Sequence, residues 1–300
     1  MLTRSDFDGL VCAALLKEKE NISNILFVHP KDMQEKIIEI HPNDISANVP
    51  YVPGVYLCFD HHRSESNRLA KRPDNHILDP DAHSAARVIH TYYGAAFRNV
   101  SHELMEAVDK CDSASFTVDE ILHPEKWILL NFIMDARTGL GRFKNFKISN
   151  YQLMMDLITY FPKYAIEKIL TINDVKERVD LYFEHEALFK EQTMNCSTVY
   201  DNLVVTDIRH LDLIYSGNRF IEYALYPDTN ISIRVLWGYK KAKTVFTVGK
   251  SIINQTSKHN IGKVMLSYGG GGHINVGTCQ IENERAETVL KELIDIFNAE

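Results

Sequence analysis

The sequence lacks the features that would direct it to a membrane, to an oxidising compartment or to long nucleic acid. Its five cysteines (Cys12, Cys58, Cys111, Cys196, Cys279) are scattered, odd in number and never spaced as C-x-x-C. That argues against a disulfide framework and against a zinc knuckle. No apolar run approaches the roughly 20 residues of a bilayer span. The segment Met1-Leu2-Thr3-Arg4-Ser5-Asp6 has an acid where a signal peptide would have its apolar stretch. A reducing cytoplasm is therefore the expected compartment, and no membrane partner is expected. Basic charge is also in deficit, with a formal net charge of -7. A protein that holds long duplex nucleic acid by counterion release carries the opposite balance, so a processive nuclease is disfavoured while short phosphorylated ligands stay open. No Ser-His-Asp or Cys-His pattern, internal repeat or low-complexity segment stands out.

What is present is enough apolar material, 45% of 300 residues, for a large core and two domains. The first sixty residues alternate apolar runs with amphipathic stretches, the pattern of a parallel sheet with crossover helices. Gly9 to Glu18 predicts a helix, Ile25 to Val28 a buried strand, and Val55 to Phe59 a second strand that ends on Asp60-His61-His62. Asp81 to Tyr93 predicts a helix capped by Asp79 or Asp81 and stopped by Gly94. Helices are expected over 102–110, 127–136, 151–160, 163–170 and 173–192, the last as a connector. Strands are expected over 197–208, 219–225, 231–237 and 244–248, with a final helix over 284–297. The expected fold is α/β: a parallel-sheet N-terminal domain, residues 1–195, joined by a helix to a smaller mixed-sheet α/β domain, residues 196–300.

Three clusters could carry chemistry. Asp6-Phe7-Asp8-Gly9 sets two carboxylates where a short strand meets a helix, a place for a hard cation or, equally, an ordinary helix cap. Asp60-His61-His62 follows an apolar strand, and imidazole with a neighbouring carboxylate suits Mn, Fe, Co or Zn. Gly269-Gly270-Gly271-Gly272-His273 strips the side chains from successive residues, so that backbone N–H groups and His273 can approach an anion.

With these motifs the sequence resembles the DHH phosphoesterase superfamily, named for the tripeptide at Asp60-His61-His62. The group includes RecJ-type exonucleases, nanoRNases, exopolyphosphatase-like proteins and family II pyrophosphatases. The resemblance covers nearly the whole chain. It implies two divalent ions, manganese before Mg or Co, held by Asp6, Asp8, Asp44, His61 and Asp112, with Asp60, His61 and His62 as the catalytic tripeptide. Asp109 competes with Asp112 for the last of these positions. Asp32 is the only other aspartate between Asp8 and Asp60 besides Asp44. Members often carry a His two or four residues before the D-x-D; here Arg4 and Leu2 stand there. Arg4 is then either a phosphate contact or a surface charge. On the substrate side the resemblance implies His62, Gly270, Gly271, Gly272 and His273, with Lys250 and Ser251 as further phosphate contacts.

The implied activity is metal-assisted hydrolysis of a short phosphorylated substrate or a short single-stranded oligonucleotide, with the glycine loop gripping it at a fixed distance from the metals. Dinucleotides such as pApA, nucleoside bisphosphates and short polyphosphate all fit. Family II pyrophosphatases close with a Ser-Arg-Lys triplet that is missing here. A non-catalytic nucleotide-binding protein is the competing reading, distinguished by metal content, and a structural role for the clusters is a third. A homodimer is compatible with the sequence.

Overall fold

The computed structural model describes residues 1–69, 71–94, 97–143 and 145–299. They form two compact units, one of Met1–Ser115, Glu125–Ala136 and Leu140–Asp180, the other of Phe116–Pro124, Arg137–Gly139 and Leu181–Glu300.

In chain order the elements of the first half are β1 (Leu2–Thr3), α1 (Phe7–Lys19), β2 (Leu26–Phe27), α2 (Pro30–Gln34), β3 (Ile45–Ala47), β4 (Leu57–Asp60), α3 (Arg63–Arg68), β5 (His76–Leu78), α4 (Ala85–Tyr93) and α5 (His102–Asp112). Then come α6 (Val118–Leu122), α7 (Lys126–Met134), α8 (Asn150–Tyr160), α9 (Ile166–Leu170) and α10 (Asn173–Asn195). The five strands lie in the order β2-β1-β3-β4-β5, and every pairing is parallel. All the C-terminal strand ends therefore share one edge, where ligands bind in open parallel sheets.

Helix α1 shows how the sequence secures that edge. Its residues Leu10, Val11, Cys12, Ala13, Leu15 and Leu16 are all fully buried, as expected of a helix that is apolar all round. Each buried Leu is worth about 1.5–3 kcal/mol of transfer free energy. Asp6 caps the helix by accepting the Gly9 N–H at 3.0 Å. Gly9 cannot be larger, because a Cβ there would lie 2.2 Å from the Arg4 carbonyl oxygen.

The second unit carries β6 (Ser197–Tyr200), β7 (Leu203–Asp207), α11 (Ile221–Leu225), β8 (Ile231–Trp237), β9 (Thr244–Lys250), α12 (Ile261–Ser267), β10 (Gly271–Gly272), β11 (Val276–Ile281) and α13 (Ala286–Asn298). Its mixed sheet has the order β10-β11-β9-β8-β7-β6, parallel only between β7 and β8. Ile233, Val235, Phe246 and Val248 from the sheet pack with Val289, Leu293 and Phe297 from α13, an i, i+4, i+8 stripe. The fold is α/β with a parallel N-terminal sheet and a second, mixed-sheet unit, as the sequence predicts.

Three local expectations fail for identifiable reasons. The strand expected over 197–208 is a hairpin, because Asp201 takes a φ of 47° and turns the chain. The strand expected over 219–225 is helix α11: Glu222 is buried and paired with Arg234 of β8 at 2.7 Å, a tertiary anchor that overrides strand propensity. The helix that ends at Gly94 is capped by Ser84 rather than by Asp79 or Asp81, since Asp79 is spent on the turn that accepts the Asp81 N–H.

Candidate metal centre

Strand β1 delivers Asp6 and Asp8 to the shared edge, β3 delivers Asn48, and β4 ends on Asp60 with His61 and His62 following. The start of α4 and the end of α5 complete the ring.

Asp8 is buried, and its two oxygens accept the Ala85 N–H at 2.9 Å and the Ala86 N–H at 2.8 Å, the first amides of α4. A helix N-terminus favours a negative charge. Burial, reinforced by the nearby Asp112 charge, still pushes the Asp8 carboxyl well above the ordinary carboxylate range. His61 has Nδ1 at 3.2 Å from the Ala82 carbonyl oxygen, so Nδ1 carries the hydrogen, and Nε2 is directed at Asp112 Oδ2, 3.1 Å away. Burial opposes protonation of His61, but its bond to Asp112 and the charges of Asp112 and Asp8 together outweigh it and raise its pKa. The ligand atoms of Asp8, His61 and Asp112 all lie within 4.8 Å of one another. Two carboxylates converging on an imidazole whose far nitrogen is tied to a carbonyl are a fitting donor set for a divalent cation, which would also relieve the charge crowding that raises Asp8.

The choice between Asp109 and Asp112 is decided by neighbours. Asp109 is consumed by Arg87, with Nε and Nη2 at 2.8 and 2.5 Å, and by the Ser84 hydroxyl at 2.6 Å, so only Asp112 reaches His61. Asp60 is fully buried. Its Oδ1 accepts the His61 and His62 N–H groups and His62 Nδ1–H, at 2.8, 3.1 and 2.6 Å. His62, 39% exposed, thus turns its other nitrogen outward. Burial lowers its pKa, and the bond to Asp60 more than restores it, so the net direction is upward.

Asp6 stands beside this group, with Oδ1 taken by Gly9 N–H and Asn48 Nδ2, both at 3.0 Å, and Oδ2 3.0 Å from Arg4 Nε. Asp44 is not brought here. It precedes β3, at the opposite end of the strand, and accepts the His41 N–H at 2.8 Å; four residues of strand span roughly 13 Å. The residue that β3 delivers to the edge is Asn48, buried and at a φ of 57°. As an amide it lacks the carboxylate that marks a cation ligand in sequence. The usable signal is a short run of small and apolar residues, Ile45-Ser46-Ala47, ending on an amide as Leu57–Phe59 ends on Asp60.

In the second unit, Gly271, Gly272 and His273 line a groove of about 310 Å³ with Asn260, Lys263 and Ile274. A Cβ at Gly270 would meet the Thr278 carbonyl oxygen at 2.1 Å and one at Gly272 the Val276 carbonyl oxygen at 2.2 Å, so packing alone requires both glycines. Gly271 has open space, with nothing within 4 Å of a Cβ. Lys250 donates to the Ser257 carbonyl at 3.1 Å. Ser251 is buried, its hydroxyl accepting the Ile253 and Asn254 N–H groups at 3.2 and 3.0 Å, the pattern of a turn cap.

No family model and no curated protein matches the chain. Among solved structures it is similar to the pGpG-specific phosphodiesterase PggH from Vibrio cholerae, at 54% identity over 99% of this chain and 98% of that one, with a TM-score of 0.88. It also matches an exopolyphosphatase-related protein from Bacteroides fragilis, at 12% identity and a TM-score of 0.52, over 99% of this chain and 91% of that one. The DHH domain of a member of a ribosomal-protein family matches at 12% identity and a TM-score of 0.57, over 98% and 85% of the two chains. These last two share the fold. With more than half of its residues identical to a phosphodiesterase over essentially the full length of both chains, the protein belongs to the DHH phosphoesterase superfamily and is a phosphoesterase.

Proposed function

We propose that this protein is a manganese-dependent phosphodiesterase that hydrolyses short linear dinucleotides of the pGpG kind. The observation that carries the reading is the 54% identity to a pGpG-specific enzyme over 98% of its length. The convergence of Asp8, His61 and Asp112 supports it chemically. The resemblance implies two ions, and these three side chains suffice for the first. A divalent ion held there supplies Lewis acidity toward water and phosphoryl oxygen. The α4 amides keep Asp8 turned toward its partners, and the Ala82 carbonyl keeps the hydrogen of His61 on Nδ1. Asp60 holds His62 by Nδ1 and favours its cationic form, which leaves Nε2–H to donate to a phosphoryl or leaving oxygen. In this reading residues 1–195 carry hydrolysis and residues 196–300 carry substrate recognition, through the backbone of Gly270 to Gly272 and through His273. Lys250 adds charge to that unit.

Among the described residues no helix is long and apolar enough to cross a membrane. None of the five cysteines is in a disulfide, in keeping with a reducing cytoplasm. The deciding experiment is turnover of pGpG, pApA, a longer oligoribonucleotide and polyphosphate, with manganese and with chelator, beside His61→Ala. Manganese-dependent cleavage of the dinucleotides, lost in the variant, is expected. Preference for polyphosphate or for the longer strand would refute the substrate assignment, and turnover that survives chelation would refute the metal chemistry.

A further inference from the structure

The carboxylate that opens the centre, Asp6, is already engaged on both oxygens. Both acceptor directions of Oδ1 are filled, by the Gly9 amide and by Asn48 Nδ2, and Oδ2 faces the Arg4 guanidinium at 3.0 Å. The orientation of Asn48 is fixed by this arrangement. Turning its amide over would lose the bond to Asp6 and aim Oδ1, which is buried and has no hydrogen-bond partner, at a carboxylate oxygen. At the one position where β3 reaches the edge, the chain thus offers a neutral amide whose N–H₂ side faces Asp6, where a bridging ion would need a carboxylate. Arg4 holds Oδ2, the side of Asp6 that Gly9 and Asn48 leave free.

The charges give the same answer. Asp6, Asp8 and Asp112 are three negative groups, Asp60 being engaged with His62. One divalent ion and the Arg4 guanidinium cancel them. A second divalent ion would leave two positive charges uncompensated and would sit against the Arg4 guanidinium, which repels it.

We infer that the centre takes a single divalent ion, at Asp8, His61 and Asp112, and that Arg4, backed by Asn48, occupies the place of a second. This inference rests on the metal-dependent phosphodiesterase reading and deepens it. Among the described residues the Arg4 guanidinium has only its Asp6 partner, through Nε. Its Nη groups are left to meet a phosphoryl oxygen, in the fork geometry that makes arginine a phosphate binder. A fixed cation then does by hydrogen bonding what a second ion would do by coordination.

The test is stoichiometry. The full-length protein is stripped with chelator and titrated with Mn²⁺, with bound metal measured by equilibrium dialysis and elemental analysis and the spin state followed by electron paramagnetic resonance. One tightly bound equivalent with the spectrum of an isolated Mn²⁺ ion is expected. Two equivalents with an exchange-coupled spectrum would overturn the inference and leave the phosphodiesterase reading standing; no tightly bound ion would sink that reading itself. The double variant Arg4→Ala/Asn48→Asp restores a carboxylate at a backbone conformation that Asp tolerates, and should gain a second equivalent and a coupled signal. A folded double variant that still takes one ion would remove Arg4 and Asn48 as the residues that exclude the second.

Discussion

Asp8, His61 and Asp112, and separately Asp60, Glu65 and His76, each bring three ligand atoms within 4.8 Å of one another in the same α/β unit. Their neighbours differ. Glu65 is buried, with Arg68 Nε and Nη2 at 2.7 and 2.5 Å and the Tyr51 N–H at 3.1 Å, so both of its oxygens are taken. His76 is buried against the Tyr51 ring, centroids 5.1 Å apart, and burial lowers its pKa. An ion entering this second group would have to break a largely buried ion pair, whereas in the first the oxygens of Asp8 hold only backbone amides and a weak thiol contact, and Asp112 is 26% exposed. Spacing alone does not make a metal site. What already satisfies the ligands decides.

The strongest way to break this contrast is His61→Ala. Loss of a partner that merely orients a metal ligand costs about 10–100-fold in affinity, so loss of the ligand itself should cost more than about 100-fold, with activity falling at least as far. Mn²⁺ titration calorimetry checks this, and a melting temperature close to that of the parent shows that the fold is intact. Glu65→Ala should do the reverse. Removing one member of a buried pair costs about 3–5 kcal/mol, reduced here to about 2–3 kcal/mol because Arg68 can reach water. Urea unfolding should register that loss, while metal stoichiometry in the folded fraction stays unchanged. Asp60→Asn lies between the two, because Asp60 belongs by position to one group and by contact to His62. The variant keeps an acceptor for the backbone amides but loses the charge that holds His62. Turnover should fall about 10–100-fold with metal retained, and the His62 titration, followed by NMR, should move to lower pH.

Much of the contrast was legible in the sequence, and the gaps have physical causes. Asp-His-His at the end of an apolar strand identified the right edge, since strand ends and polar tripeptides are both local features. The helices of the first unit were visible from their periodicity, with ends displaced by a few residues. What could not be read was which acceptors were already occupied. Asp44 and Asn48 differ in placement because one precedes and the other follows a three-residue strand, too short to leave a periodic trace. Ser251 looked available for phosphate and is instead buried in a turn, a fact about Ile253 and Asn254 rather than about serine. Helix α11 was misread as a strand because its anchor, Arg234, lies twelve residues away.

The same criterion extends to the glycine loop, where satisfied and open positions alternate. Gly270→Ala should damage folding, since its methyl has no room. Gly271→Ala meets nothing and should leave stability within about 1 kcal/mol. If Gly271 is kept small for a ligand, the added methyl should raise KM for a dinucleotide about tenfold, a loss worth about 1.4 kcal/mol, with kcat little changed. An unchanged KM would reduce the whole glycine run to packing.

The smallest expected effect comes from a carboxylate satisfied at the surface. Asp207 meets Arg209, whose guanidinium also reaches Glu287 at 2.7 Å. Burial would raise the Asp207 pKa, but its bonds to the Arg209 side chain and backbone more than reverse that and hold it below the ordinary carboxylate range. A depressed folded-state pKa stabilises the protein above the unfolded value of about 4, and that stabilisation is lost as pH falls through the folded pKa. Asp207→Asn should therefore lower the urea midpoint slightly at pH 7, by an amount equivalent to less than about 1 kcal/mol, because the pair is a third exposed and screened by solvent. The difference from the parent should close as the pH falls through the lowered pKa of the parent carboxyl, where it too is protonated. Asp8, raised rather than depressed, has the opposite sign. In chelated protein it resists ionisation above about pH 4, so that unit should lose stability as pH rises toward neutrality and recover it when Mn²⁺ is added. Measured side by side, the two pH profiles should slope in opposite directions, and parallel profiles would mean that Asp8 is as fully satisfied as Asp207 and has no need of an ion.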